Sequence, residues 1–294
     1  MAEARTGPMA VAARAESRAR TVTDRAEIAA FLQTDRRYAA YALGDLDGPQ
    51  RHRVAWAMAY DDAGEPIALG SHHEGLVPQP LFLMGDPEGC AAILESVIRP
   101  RDAYFVATTA HEAAISGLYN LDPPVAMLRM VVDRAAFHPF AGPAERLVPA
   151  DIDELNRLYQ LGFRTGFTAS IIADGIYYGI RVRGRLVSAA GTHVINEAEG
   201  IAVVGNVMTH SDYRGHDFAK MVTSSVTGEL LDRLPDVALN VHADNLPAVA
   251  AYARLGYREH CALEERLGRR HSGGWGLMRP IREALRLTWQ REPR

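Results

Sequence analysis

Apolar positions along the C-terminal half of the chain change their spacing in an ordered series. A short extended run at residues 145–148 precedes residues 151–161, where Ile152, Leu155, Leu158 and Tyr159 share one helical face behind an acidic start. Residues 168–173 predict a second helical piece. Residues 176–182 and 185–195 flank Arg183-Gly184 as a hairpin, and Ile201–Thr209 is a third long strand. An amphipathic helix at 215–234, a strand at 237–242, a helix at 247–255 and a strand at 257–267 complete the series.

The N-terminal half repeats this layout more faintly. Helices are predicted at 24–32 and 38–46, and strands at Val54–Tyr60 and 67–72 around the turn Asp61-Asp62-Ala63-Gly64. A strand at 81–84, a helix at 87–98, a strand at 104–108, a helix at 112–121 and a strand at 125–132 follow. The Pro/Gly-rich segment Phe137-His138-Pro139-Phe140-Ala141-Gly142-Pro143-Ala144-Glu145 marks the expected boundary. The expected division is a mobile arm at 1–20, one domain at 21–140, and a second at 141–294 with a C-terminal extension. An unrelated α/β cap is the alternative reading of the first half.

The densest signal is Tyr213-Arg214-Gly215-His216-Asp217-Phe218-Ala219, between a strand and a helix. A turn at a helix start presents N–H groups that lack intrahelical partners, and the helix dipole adds positive potential, so the place suits an anion. Arg214 adds a forked cation matched to phosphate oxygens. A second block, Asn245-Leu246-Pro247-Ala248 through Tyr252 to Gly256-Tyr257, follows. Together the blocks resemble the signature motifs of the GCN5-related N-acetyltransferases (GNAT), over residues 145–267. Asp217 stands where that family's pyrophosphate loop has its middle glycine.

The resemblance implies an α/β (α+β) GNAT fold, a mixed central sheet with flanking helices, in tandem copies. It implies transfer of an acetyl group from acetyl-CoA to an amine of a small molecule or peptide, by direct attack on the thioester. The backbone of Val207, Met208 and Thr209 would pair with the pantetheine arm. Arg214 and the N–H groups of Gly215, His216, Asp217, Phe218 and Ala219 would take the pyrophosphate. Gly205 fits the bulge where the family's fourth and fifth strands part. Asn245 matches the asparagine that bonds the CoA arm, and is equally an N-cap. Tyr252 matches the tyrosine that protonates the departing thiolate; by spacing alone it is also a core tyrosine.

The base is less legible. Ile201, Ala202, Val203 and Val204 occupy the region where many family members carry a glutamate, and Glu197 and Glu199 fall in a turn. His193 has a side chain suited to accepting an amine proton, although a lone strand histidine is more often structural. The acceptor would sit near 162–173, with Phe163, Arg164, Phe167, Ile171, Tyr177 and Tyr178 around it. In the N-terminal half the phosphate position reads Gly85-Asp86-Pro87-Glu88-Gly89, with two acids and a proline that removes a donor. That half is not expected to bind CoA. A noncatalytic acyl-CoA-binding scaffold and a transferase for longer acyl chains remain the rival readings.

Composition narrows the partners. The 294 residues are 48% hydrophobic and 23% charged, with a net charge of −4, which argues against broad nucleic-acid binding. Lys220 is the sole lysine. Two cysteines are too few for a disulfide framework, so a cytoplasmic protein is expected. No apolar run reaches the ~20 residues of a membrane span. The histidines lack partners at metal-ligand spacing, so no metal is expected. A homodimer is compatible with all of this.

Overall fold

The computed structural model describes residues 18–161 and 167–271. The elements run β1 (Arg18–Thr21), α1 (Arg25–Gln33), α2 (Ala40–Asp47), β2 (Val54–Tyr60), β3 (Pro66–His73), β4 (Pro80–Gly85), α3 (Pro87–Ser96), β5 (Asp102–Ala107), α4 (Glu112–Ser116), β6 (Tyr119–Leu121) and β7 (Val125–Asp133). They continue with β8 (Glu145–Arg146), α5 (Ile152–Tyr159), α6 (Ser170–Asp174), β9 (Tyr178–Val182), β10 (Arg185–Asn196), β11 (Ile201–Thr209), α7 (Phe218–Leu231), β12 (Asp236–His242), α8 (Leu246–Arg254) and β13 (Arg258–Arg270). The result is a mixed α/β fold around one large sheet with flanking helices.

Local chemistry sets the boundaries. Asp24 caps α1, its carboxylate accepting the Ala26 N–H at 2.8 Å. Asp86 caps α3 by accepting the Gly89 N–H at 2.8 Å, with Pro87 in the first turn. The helix expected at 112–121 stops at Ser116, because Tyr119–Leu121 instead pairs with β13 as β6. The expected arm at 1–20 also needs correction. Its end forms β1, paired antiparallel with β2 from Arg18↔Tyr60 to Thr21↔Ala57, while residues 1–17 lie outside the described part.

The strand order is β1-β2-β3-β4-β5-β13-β7-β12-β11-β10-β9-β8. From each end it reads alike: four antiparallel neighbours, then a parallel pair, β4 with β5 and β11 with β12. At the centre the halves exchange strands. β7 pairs with β12 from Asp236↔Asp133 to His242↔Met127, while β13 pairs with β5 and β7. The sheet therefore runs across the expected boundary near residue 140. A polar, Pro-rich linker marks where the chain leaves the sheet, and carries no record of which neighbour each strand takes.

Helices α1 and α2 share one core with Trp56, Met58 and Leu69 near one end of the sheet and Ile201, Val203 and Ala238 beyond its centre. Strands so distant in order reach one helix pair only because the sheet curls around it. Ion pairs fasten the contact. Buried Asp236 meets Arg36 and Arg37, and Glu199 meets Arg25 at 2.8 Å. Glu199, expected to decorate a turn, is 9% exposed and also accepts from Gln33 at 2.7 Å. On the opposite face α7 covers Val132, Ala202, Val204 and Val237. None of the described helices is long and apolar enough to cross a membrane.

Candidate active site

β11 and β12 pair from Ile201↔Asp236 to Val204↔Leu239 and then part. Gly205 is thus where the two strands open, as expected. The bulge itself lies one residue on: Asn206 and Val207 stand opposite Ala190 alone, and Asn206 has φ +53°. Beyond it Val207, Met208 and Thr209 are half-buried, with one edge bonded to β10 and none to β12. That unpaired edge can accept an extended ligand.

At the end of β11 the chain turns through Gly215, at φ +80° and with open space where a Cβ would stand, into α7. The N–H groups of Gly215 to Lys220 find no acceptor among the described residues. Arg214 is exposed and unpaired among the described residues. Asp217, preceding α7, has φ +60°, the left-handed region that glycine favours and that aspartate tolerates better than most. It caps nothing. Its carboxylate lies 3.0 Å from the Lys220 ammonium, which sits 3.8 Å from the centre of the Phe140 ring. The acid is drawn down the helix flank and away from the row of donors. His216 donates from Nδ1 to the Arg214 carbonyl at 3.0 Å and stacks on Phe218.

α8 starts nearby. Asn245 caps it, Oδ1 accepting the Ala248 N–H at 3.3 Å, and its Nδ2 has no partner among the described residues. Both readings of this asparagine are therefore open at once. Tyr252 is 7% exposed against Tyr257, and its hydroxyl has no partner among the described residues. Burial pushes its pKa up to about 12, so it keeps its proton at neutral pH.

His193 sits at a second irregularity of β10, between Thr192 and Val194, and packs over Gly205. Its ring lies where any side chain on Gly205 would collide, as the Tyr177 ring does over Gly191, the residue paired with Gly205. Two facing glycines thus clear the strands for two rings. Tyr41 of α2 donates its hydroxyl to His193 Nδ1 at 2.7 Å, and Nε2 donates to Asn206 Oδ1 at 3.0 Å. Asn206 Nδ2 donates to the Tyr177 hydroxyl at 2.9 Å, and the Tyr159 hydroxyl donates to the Asn206 carbonyl at 2.6 Å. The residue remains exposed to solvent. Desolvation by the protein around it holds its pKa below the ordinary histidine value. Sequence reading treats His193 as a lone base, whereas both its nitrogens are engaged, and the one with the accepting lone pair faces Tyr41.

Tyr41 is missed by the sequence reading because an aromatic at helical spacing reads as core, and nothing local pairs it with a strand 152 residues away. The acceptor segment is only partly described. Phe163 and Arg164 lie outside the described residues, Phe167 packs edge-on to Tyr159 with centroids 5.3 Å apart, and Tyr177 is core. Tyr178 instead lies under the Arg146 guanidinium. No group of three or more metal-ligating side chains occurs among the described residues.

Comparison with known proteins places this geometry. Residues 148–257 match the acetyltransferase (GNAT) family model. Comparison with curated proteins finds no match. Among solved structures, a Drosophila protein aligns at TM-score 0.60 and 14% identity, over 85% of this chain and 98% of its own. A GCN5-related N-acetyltransferase from Sphaerobacter thermophilus aligns at 0.57 and 16%, over 85% and 95%. A tandem GNAT protein from the clavulanic acid biosynthesis pathway aligns at 0.54 and 13%, over 88% and 100%. At these identities the likeness is one of fold. Over residues 148–257 the chain is similar to the GNAT acetyltransferase family.

Proposed function

We propose that the chain is an acetyl-CoA-dependent N-acetyltransferase acting on an amine of a small molecule or peptide, with its cofactor site in residues 141–294. We read residues 21–140 as a degenerate GNAT-like copy that holds no CoA. The observation that carries this reading is the uncapped row of N–H groups from Gly215 to Lys220 beside Arg214, at the open end of β11. Donors without acceptors at a helix start suit the pyrophosphate, and the free edge at Val207, Met208 and Thr209 suits the pantetheine amides. Asn245 Nδ2 is free to bond that arm.

The acetyl thioester then lies where β11 and β12 part, with its carbonyl toward strand N–H groups that stabilise the oxyanion. Attack by a neutral amine forms a carbon–nitrogen bond. Collapse breaks the carbon–sulfur bond, and the thiolate takes the Tyr252 hydroxyl proton. His193 is the terminal acceptor of the amine proton. No covalent enzyme intermediate is needed.

Calorimetric titration with CoA, followed by thiol release from acetyl-CoA over a panel of primary amines, tests this. One CoA per chain and amine-dependent release are expected. Failure to bind CoA overturns the reading. Binding without release for any amine assigns the chain to the scaffold class, and faster turnover of longer acyl-CoAs assigns it to longer chains.

A further inference from the structure

Helix α2 presents Tyr41, Gly44 and Asp45 half-buried, at i, i+3 and i+4, while Ala40, Ala42, Leu43 and Leu46 are buried behind them. That spacing is one face of a helix. The face borders the His193 end of β10: Tyr41 bonds His193, and Val194 comes within 2.6 Å of where a Cβ on Gly44 would stand. Asp45 is one turn from Tyr41, with Cβ atoms about 6 Å apart at that spacing.

Asp45 differs from the carboxylates that fasten the fold. Asp47 and Glu199 meet Arg25, and Asp236 meets Arg36 and Arg37. Asp45 accepts no hydrogen bond and faces neither arginine nor lysine among the described residues. Its near ionisable neighbour is His73 Nε2 at 3.9 Å, and its side chain is 33% exposed. Burial holds His73 below the ordinary histidine pKa, and its Nδ1 already accepts the Gly75 N–H at 3.0 Å. Burial also pushes the Asp45 carboxyl up to about 7, as expected of an acid partly withdrawn from water without a cation. A carboxylate so placed gains most from a cation brought by a ligand.

We propose that this face of α2 is a wall of the acceptor site, with Asp45 the counter-charge for a cationic amine and Tyr41 the group that takes its proton. The proposal rests on the acetyl-transfer reading above. An amine drawn to Asp45 lies alongside Tyr41 and His193, at the mouth of the opening between β11 and β12. The ammonium first gives one proton to solvent, which frees its lone pair; as that nitrogen bonds the acetyl carbon, a second N–H bond breaks and the proton passes to the Tyr41 oxygen. Tyr41 simultaneously passes its own proton to His193 Nδ1, leaving an imidazolium whose Nε2–H stays on Asn206. The imidazolium returns the proton to solvent through Tyr41 after the acetamide leaves. The N-terminal half thereby selects the acceptor for a cofactor site built by the other half.

The test uses the full chain saturated with CoA and three probes, n-butylamine, benzylamine and glycinamide, each titrated beside a neutral hydroxyl analogue by NMR. The expected result is at least tenfold tighter binding of one or more amines than of its analogue, lost in Asp45→Asn with CoA affinity unchanged. Equal binding within every pair, no binding at all, or an intact preference in Asp45→Asn overturns the proposal. With any amine that is acetylated, Tyr41→Phe should lower kcat about tenfold at unchanged KM and raise the His193 pKa, read from its ring proton. Wild-type kcat and pKa in that variant would remove Tyr41 from the proton path. Amine binding without thiol release would strike the transfer reading alone and leave the binding wall standing.

Discussion

Asp86 at the start of α3 and Asp217 at the start of α7 each follow a strand, and they treat the donors of their helices differently. At α3, Asp86 has extended backbone angles (φ −63°, ψ 130°) and its carboxylate takes the Gly89 N–H. At α7, Asp217 is left-handed (φ 60°, ψ 10°) and its carboxylate takes Lys220 instead. Capping needs the extended conformation, which swings the side chain over the helix end. The left-handed one turns it aside and leaves the N–H groups free. Backbone angle, rather than residue type, decides whether the donors are spent. Pro87 removes a further donor at α3, and no arginine flanks it.

The two halves share strands at the centre of the sheet. β12 obtains its outer neighbour, β7, from the other half, and β13 has its partners there too. Residues 141–294 expressed alone would leave an open apolar edge at the centre of a sheet. We predict that this fragment is insoluble or unfolded and binds no CoA, and that co-expression with residues 1–140 restores both. A soluble fragment with native CoA affinity would show that the exchange is dispensable.

Next in size is Tyr252→Phe, which removes a proton donor and almost no packing. Loss of a positioned acid costs about 10²–10⁴-fold in rate. We expect kcat to fall in that range while CoA affinity holds within about twofold. An unchanged kcat, with chemistry rate-limiting, would make Tyr252 a core residue. The N-terminal half offers no counterpart to test, because α4 ends at Ser116 and β6 follows at once.

Much of the fold is legible in the sequence. Val54–Tyr60 and Ile201–Thr209 were read to the residue because each is an apolar run closed by turn residues. β1 was missed because Arg18–Thr21 is short and mostly exposed, and is held by backbone pairing alone. The strand exchange left no trace, since apolar patterning reports which face is buried and not which strand lies alongside. The loop at Arg214–Ala219 was visible as a motif, but the partner of Asp217 was not. Arg214 and His216 were nearer in sequence, and the lysine that holds the acid lies one helical turn further on.

Lys220 makes the comparison between the two aspartates sharper. Its side chain is 7% exposed and holds the carboxylate aside while adding a positive charge near the anion site. Lys220→Met keeps the packing against Phe140, removes that charge and releases Asp217. We predict CoA binding about tenfold weaker, with most of the loss recovered in Lys220→Met combined with Asp217→Gly. A single variant with wild-type affinity would mean that backbone angle alone keeps the carboxylate off the donors.

The smallest effect is expected from Asp217→Gly itself. A carboxylate about 5 Å from a phosphate charge, at an effective dielectric of about 20, would cost about 3 kcal/mol per pair. The observed carboxylate is 53% exposed and turned to the flank of α7, so water screens it and the separation is greater. At about 8 Å and a dielectric near that of water, each pair is worth about 0.5 kcal/mol. Glycine would also relieve the left-handed conformation, but it frees the unfolded chain and leaves Lys220 unpaired over Phe140. These terms oppose one another and leave the repulsion as the main change. We predict CoA binding about threefold tighter, with little change for a pantetheine fragment lacking phosphate. A gain beyond thirtyfold would mean that the carboxylate faces the phosphates when CoA is bound. Weaker binding would mean that the Asp217–Lys220 pair holds the loop in the shape the donors require.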